Sequence, residues 1–156
     1  MTLNVSENSV FFNFNREKLL ALGKTAAEHG IEMLVLDDGW FGHRDDDTTS
    51  LGDWTVNTTK LGGTMAQLSD DIHALGLKFG LWFEPEMVSE DSDLFRAHPD
   101  WALQVPGRPR SLGRHQMVLD LARPEVVDSW QNCWTKKFQE EDLLMLPSAR
   151  LLHPLL

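Results

Sequence analysis

Two stretches of this chain follow one plan. Each has an amphipathic run of helical period, then a glycine, a short apolar run and an acid. In the first, Leu19, Leu22 and Ala26, with Leu20 and Ala27 beside them, form an i, i+3, i+7 stripe, and Asn15 stands where a helix cap belongs. Gly30 is placed to stop that helix in a left-handed turn. Ile31 to Leu36 then run apolar up to Asp37-Asp38-Gly39-Trp40. The second stretch repeats this 46 residues later, with Met65, Leu68, Ile72 and Leu75, then Gly76, then Leu77 to Phe83, then Glu84-Pro85-Glu86. Asp38 and Glu84 occupy the same place in the two units. Apolar runs without alternation suit strands buried on both faces, which is how parallel strands read. Helix and buried strand in turn give an α/β fold with a parallel sheet. Acids at the strand ends point to a (β/α)8 barrel, whose site lies at that end. A doubly wound sheet is the alternative, although no Gly-rich phosphate loop follows either strand.

A third apolar piece, Met117 to Leu121, again carries an acid, Asp120, and is expected to be the next strand. Pro124 is placed to open a helix that turns Val126, Val127, Trp130 and Trp134 inward. Residues 42–63 are rich in Gly, Asp and Thr and read as one long functional loop. A whole barrel needs about 250 residues. A chain of 156 residues with three visible strands therefore reads as a partial barrel of about three βα units. The expected division is a divergent segment 1–12, the barrel part 13–135 and a divergent Leu-rich tail 136–156. In that tail Pro147 and Pro154 argue against both helix and strand.

Charge narrows the partners. With 14 basic against 24 acidic residues, the net charge of −10 disfavours nucleic acid and anionic membranes. No stretch has the roughly 18 apolar residues of a membrane span, and the start lacks the basic region of a signal peptide. The single cysteine, Cys133, cannot form an internal disulfide. A cytoplasmic protein is expected.

Several residues could carry chemistry. Asp37 and Asp38 together can accept hydrogen bonds from several hydroxyls of a sugar. They could equally hold a hydrated cation, or simply close an Asp-Gly turn. Glu84 and Glu86 are candidate acids or bases, or loop-bonding residues. Trp82 precedes Glu84 by two positions and offers a flat wall for a sugar ring, or a core side chain. Arg114 offers a forked donor, or a surface ion pair. His43, His73 and His115 show no metal-ligand spacing, so no metal is expected.

The runs FNFNREKLLALGKTAAEHGIEMLVLDDGWFGHRDDD, LGDWTVNTTKLGG, IHALGLKFGLWFEPEMVSEDSDLFRAHPDWAL and GRHQMVLDLARPEV resemble the start of the catalytic barrel of family 36 α-galactosidases. The resemblance covers residues 13–130. It implies a glycoside hydrolase that removes terminal α-linked galactose from melibiose- and raffinose-type sugars, by double displacement through two carboxylates and without a cofactor. By that resemblance Asp37 and Asp38 hold galactose hydroxyls, Trp82 helps form the pocket, and Arg114 reaches the sugar or its neighbours. The family's nucleophile lies in a Lys-Trp-Asp run that this chain lacks, and its acid/base comes later still. The chain is therefore expected to hold no catalytic carboxylate and to be inactive alone, while the longer enzyme is expected to be a homo-oligomer. The alternatives are a same-clan galactosyl transferase fragment and a non-catalytic interaction module.

Overall fold

The computed structural model describes residues 1–4, 12–110, 112–138 and 144–147. In chain order its elements are β1 (Thr2–Asn4), α1 (Arg16–Glu28), β2 (Met33–Leu36), α2 (Thr58–Leu61), α3 (Met65–Ala74), β3 (Lys78–Phe83), β4 (Met87–Ser89), α4 (Asp93–Ala97), a 3₁₀ turn (Pro99–Trp101), β5 (Gln116–Val118), α5 (Pro124–Phe138) and β6 (Leu144–Pro147). They fall into two compact units. The first comprises Met1–Trp40, Val56–Phe83 and Glu141–Leu156; the second comprises Phe41–Thr55 and Glu84–Glu140.

The first unit is built on a parallel sheet of order β1-β2-β3-β6, so its strands follow chain order without reversal. The helix signals act as the sequence suggests. Asn15 caps α1 by accepting the Lys18 N–H at 3.0 Å. Thr64 and Gln67 form a reciprocal capping box at the start of α3. Both helices end in the same motif. Gly30 (φ 75°) donates to the Ala27 carbonyl while Ile31 donates to that of Ala26. Gly76 (φ 81°) and Leu77 repeat this on His73 and Ile72. These are Schellman stops, which need a left-handed residue that glycine supplies without a Cβ clash. Each one turns the chain directly into the next strand.

Leu19 and Ala26 of α1, Leu34, Val35 and Leu36 of β2, Leu68 and Ile72 of α3, and Phe79, Leu81 and Phe83 of β3 make the buried core of this unit. Gly23 lies in mid-helix for a packing reason. A Cβ there would stand 3.1 Å from Leu75 Cδ1, 3.3 Å from Ile72 Cδ1 and 3.6 Å from Leu34 Cδ1. Its absence lets α1 approach both α3 and β2 closely.

Two expectations need correction. Met117 to Leu121 is not a further strand of the parallel sheet. Its first part is β5, paired antiparallel with β4 in a separate two-stranded sheet of the second unit. A short apolar run shows burial but not pairing direction. Thr2–Asn4, which shows no period, is a strand parallel to β2. Leu144–Pro147, expected to be neither helix nor strand, pairs parallel with β3. Pro147 stands at the last position of that outer strand, where a missing N–H is tolerated. Residues 148–156 of the Leu-rich tail lie outside the described residues.

The second unit has its own apolar cluster of Val88, Trp101, Ala102, Met117, Leu119 and Val126, with Leu94 and Phe95 packed against it. Pro124 opens α5 as expected. Val126 is buried, Val127 and Trp130 are half-buried, and the Trp134 side chain lies outside the described residues. No helix among the described residues is long and apolar enough to cross a membrane.

Candidate carbohydrate site

Asp37 and Asp38 leave the C-terminal end of β2 half-buried. Leu36 pairs with Leu81, so the register brings Asp37 level with Trp82 at the end of β3. The sheet thus gathers Asp37, Asp38 and the half-buried Trp82 at one edge. Asp37 also has a local role, since its Oδ1 accepts the Asp38 N–H at 2.8 Å. Gly39 follows at φ 99°. The turn reading and the binding reading of Asp-Asp-Gly are therefore compatible, with Asp37 shaping the turn that presents Asp38.

The sequence pattern does not single out Trp40. Its side chain is 1% exposed, and its indole N–H donates to the Trp82 carbonyl at 3.1 Å. Its own carbonyl accepts from Asn57 N–H at 2.9 Å. Trp40 therefore braces the end of β2 to the end of β3. The signal was a tryptophan placed directly after the acid turn.

Arg114 belongs to the second unit. Gly113 and Gln116 exchange N–H···O=C bonds at 3.0 Å, and the two residues between them, Arg114 and His115, have φ of 55° and 62°. Two positive φ values in a two-residue hairpin loop are the mark of a type I′ turn. Non-glycine residues held this way cost on the order of 1–3 kcal/mol each. The Arg114 side chain is half-exposed, with its guanidinium 3.5 Å from Asp47. Glu84 and Glu86 lie in the same unit and are buried, at 4% and 8% exposure. Strand β3 ends at Phe83, so Glu84 stands beyond the strand.

The long loop is extensively bonded. Within its second-unit part, Gly42 N–H donates to the Thr55 carbonyl at 2.8 Å, His43 N–H donates to Ser50 Oγ at 2.8 Å, and the Phe41 and Trp54 rings pack 4.4 Å apart. Asp53 accepts the N–H groups of Asp93 and Leu94 at 2.8 and 2.9 Å, at the start of α4. Burial pushes the Asp53 carboxyl above its ordinary range despite those two bonds. Asp46 is held below it by the hydroxyl and N–H of Thr48. Asp100 is held below it by its bond to Arg123.

These shifts predict a pH response. Asp46 and Asp100 bind protons less readily when folded than when unfolded. Their stabilisation is present above the unfolded value near 3.8 and is lost as the pH falls through the folded values. Asp53 acts oppositely, because its folded form takes up a proton first and acidification relieves a cost. Thermal melts should show Tm falling on acidification below about pH 4, and falling more steeply in Asp53→Asn than in the parent. A shallower fall in Asp53→Asn would contradict this assignment.

The first unit is thus an α/β unit whose parallel strands β2 and β3 bring two carboxylates and a half-buried tryptophan to one sheet edge. A family profile described as Melibiase matches residues 1–144. The α-galactosidase AgaA of Geobacillus stearothermophilus is 58% identical over 120 residues, covering 77% of this chain and 16% of that protein. The bifunctional α-galactosidase/sucrose kinase AgaSK of Mediterraneibacter gnavus is 53% identical over 123 residues, covering 79% and 13%. The crystal structure of the GH36 enzyme AgaA A355E D548N with raffinose superposes with a TM-score of 0.86 at 49% identity, covering 92% of this chain and 20% of that one. The chain belongs to the Melibiase family. It spans about one sixth of the length of the AgaA protein it matches.

Proposed function

We propose that this chain is part of the catalytic (β/α)8 barrel of a retaining α-galactosidase and supplies one portion of its galactose-binding wall. The observation that carries this reading is the register that brings Asp37, Asp38 and Trp82 to the C-terminal edge of a parallel sheet. The uninterrupted strand order supports a barrel over a doubly wound sheet, which reverses at a switch point. Asp37 and Asp38 accept hydrogen bonds from galactose hydroxyls. Trp82 offers its ring to the apolar face of the sugar, and Arg114 donates to hydroxyls. The substrate class is terminal α-galactosides of the raffinose and stachyose type, the sugars bound in crystal structures of AgaA variants.

Retaining hydrolysis needs a nucleophilic carboxylate and an acid/base carboxylate about 5–5.5 Å apart. No Lys-Trp-Asp run occurs in this sequence, so both groups come from other parts of the enzyme. The test uses two proteins, this chain alone and the full-length enzyme carrying it, with p-nitrophenyl α-galactoside and raffinose. The full-length enzyme should release galactose with retained anomeric configuration, and the chain alone should release none. A full-length protein without α-galactosidase activity, or turnover by the chain alone, would reject the proposal.

A further inference from the structure

The hairpin tip that carries Arg114 is held in an unusual backbone shape. Arg114 and His115 both stand at positive φ, and neither is a glycine, asparagine or aspartate that would accept this readily. The paired Gly113–Gln116 bonds hold the turn shut. The direction in which the Arg114 side chain leaves the backbone is thereby set.

A set backbone still leaves a long side chain free to swing. Asp47 supplies the second constraint. Its Oδ1 lies 3.5 Å from Arg114 Nη2 and 3.6 Å from Arg44 Nη2. The Arg44 side chain is wholly buried, and its Nη1 donates to the Thr49 carbonyl at 2.9 Å. Asp47 thus lies between a buried, hydrogen-bonded cation on one side and a half-exposed one on the other. At 3.5 Å its contact with Arg114 is mainly coulombic. A guanidinium has five N–H donors, so donors remain for hydroxyls of a ligand.

We propose that Asp47 is a positioning residue for Arg114, orienting its guanidinium toward sugar hydroxyls; this rests on the α-galactoside reading above. Half-exposed ion pairs contribute little to folding. Asp47 also faces the buried Arg44, which keeps its bond to the Thr49 carbonyl, so Asp47→Asn should lower Tm by about 5 °C at most and leave the enzyme folded for kinetics.

The test is a double-mutant cycle in the full-length enzyme with p-nitrophenyl α-galactoside. Asp47→Asn should raise KM about tenfold and leave kcat within about threefold, because the oriented donors serve bound substrate and transition state alike. Arg114→Ala should lower kcat/KM about a hundredfold. Adding Asp47→Asn to Arg114→Ala should change it by less than about twofold, since the group being positioned is already gone. Multiplying effects, or an Asp47→Asn enzyme within about twofold of the parent kcat/KM, would overturn the proposal. If the parent shows no α-galactosidase activity, the functional reading fails and a second measurement decides the role of Asp47. The heteronuclear NOE of the Arg114 Nε–H in this chain should fall in Asp47→Asn, and an unchanged value would overturn the positioning role.

Discussion

Asp38→Ala in the full-length enzyme is expected to lower kcat/KM on α-galactosides about a thousandfold. The carboxylate stands just past β2, at the sheet edge it shares with Trp82. A hydrogen bond from a hydroxyl to a charged group contributes roughly 1.5–3 kcal/mol. Two such bonds amount to about 4 kcal/mol, and each 1.36 kcal/mol is tenfold in rate. The fold should survive, because the turn depends on the Asp38 backbone N–H donating to Asp37, which alanine retains. Asp37→Ala differs in kind. It removes the acceptor of that bond and should lower Tm as well as activity. Steady-state kinetics beside thermal melts separate the two. A loss of less than tenfold for Asp38→Ala would remove Asp38 from the binding wall.

Leu34→Asp is expected to abolish the cooperative unfolding transition of the first unit. Leu34 is wholly buried, pairs in register with Leu3 and Phe79, and faces the helix surface left open by Gly23. Leu34→Ala alone should cost about 2–5 kcal/mol, through lost transfer energy and the cavity left behind. An aspartate adds an unpaired buried charge, among the costliest single changes. Against a total stability of roughly 5–15 kcal/mol, little would remain. Leu112→Asp is the control, since Leu112 is 53% exposed and should change stability by no more than about 0.5 kcal/mol. Urea titration followed by circular dichroism reads all three. A Leu34→Asp variant with a parent-like midpoint would show that β2 is not the centre of this core.

What could be read from the sequence was what carries a period or a stop signal. Helices α1 and α3 were legible from their stripes and glycines, and β2 and β3 from unbroken apolar runs, whereas the repeat equates Asp38 with Glu84 and the register instead sets Asp38 level with Phe83. Strands β1 and β4, each three residues long, are too short to show a period. The direction of β5 is hidden because an apolar run looks the same beside either kind of partner. The turn at Arg114 was hidden for a different reason. Type I′ loops are recognised by Asn-Gly or Asp-Gly, and here Arg-His occupies the tip in a conformation that only the surrounding bonds enforce. The brace from Trp40 to Trp82 and the Asp47 contact join residues far apart in sequence, and no spacing rule reveals such pairs.

The regular spacing of the βα units also sets a timetable. A ribosome adds roughly 5–20 residues per second, so β3 leaves it a few seconds after β2. Helices form within about a microsecond and hairpins within about ten. For most of those seconds the newly made β2, with Leu34, Val35 and Leu36 in succession, has β1 on one side and awaits β3 on the other. That interval, rather than the finished fold, is when a nascent chain of this design is most open to aggregation, and when a chaperone would do the most good.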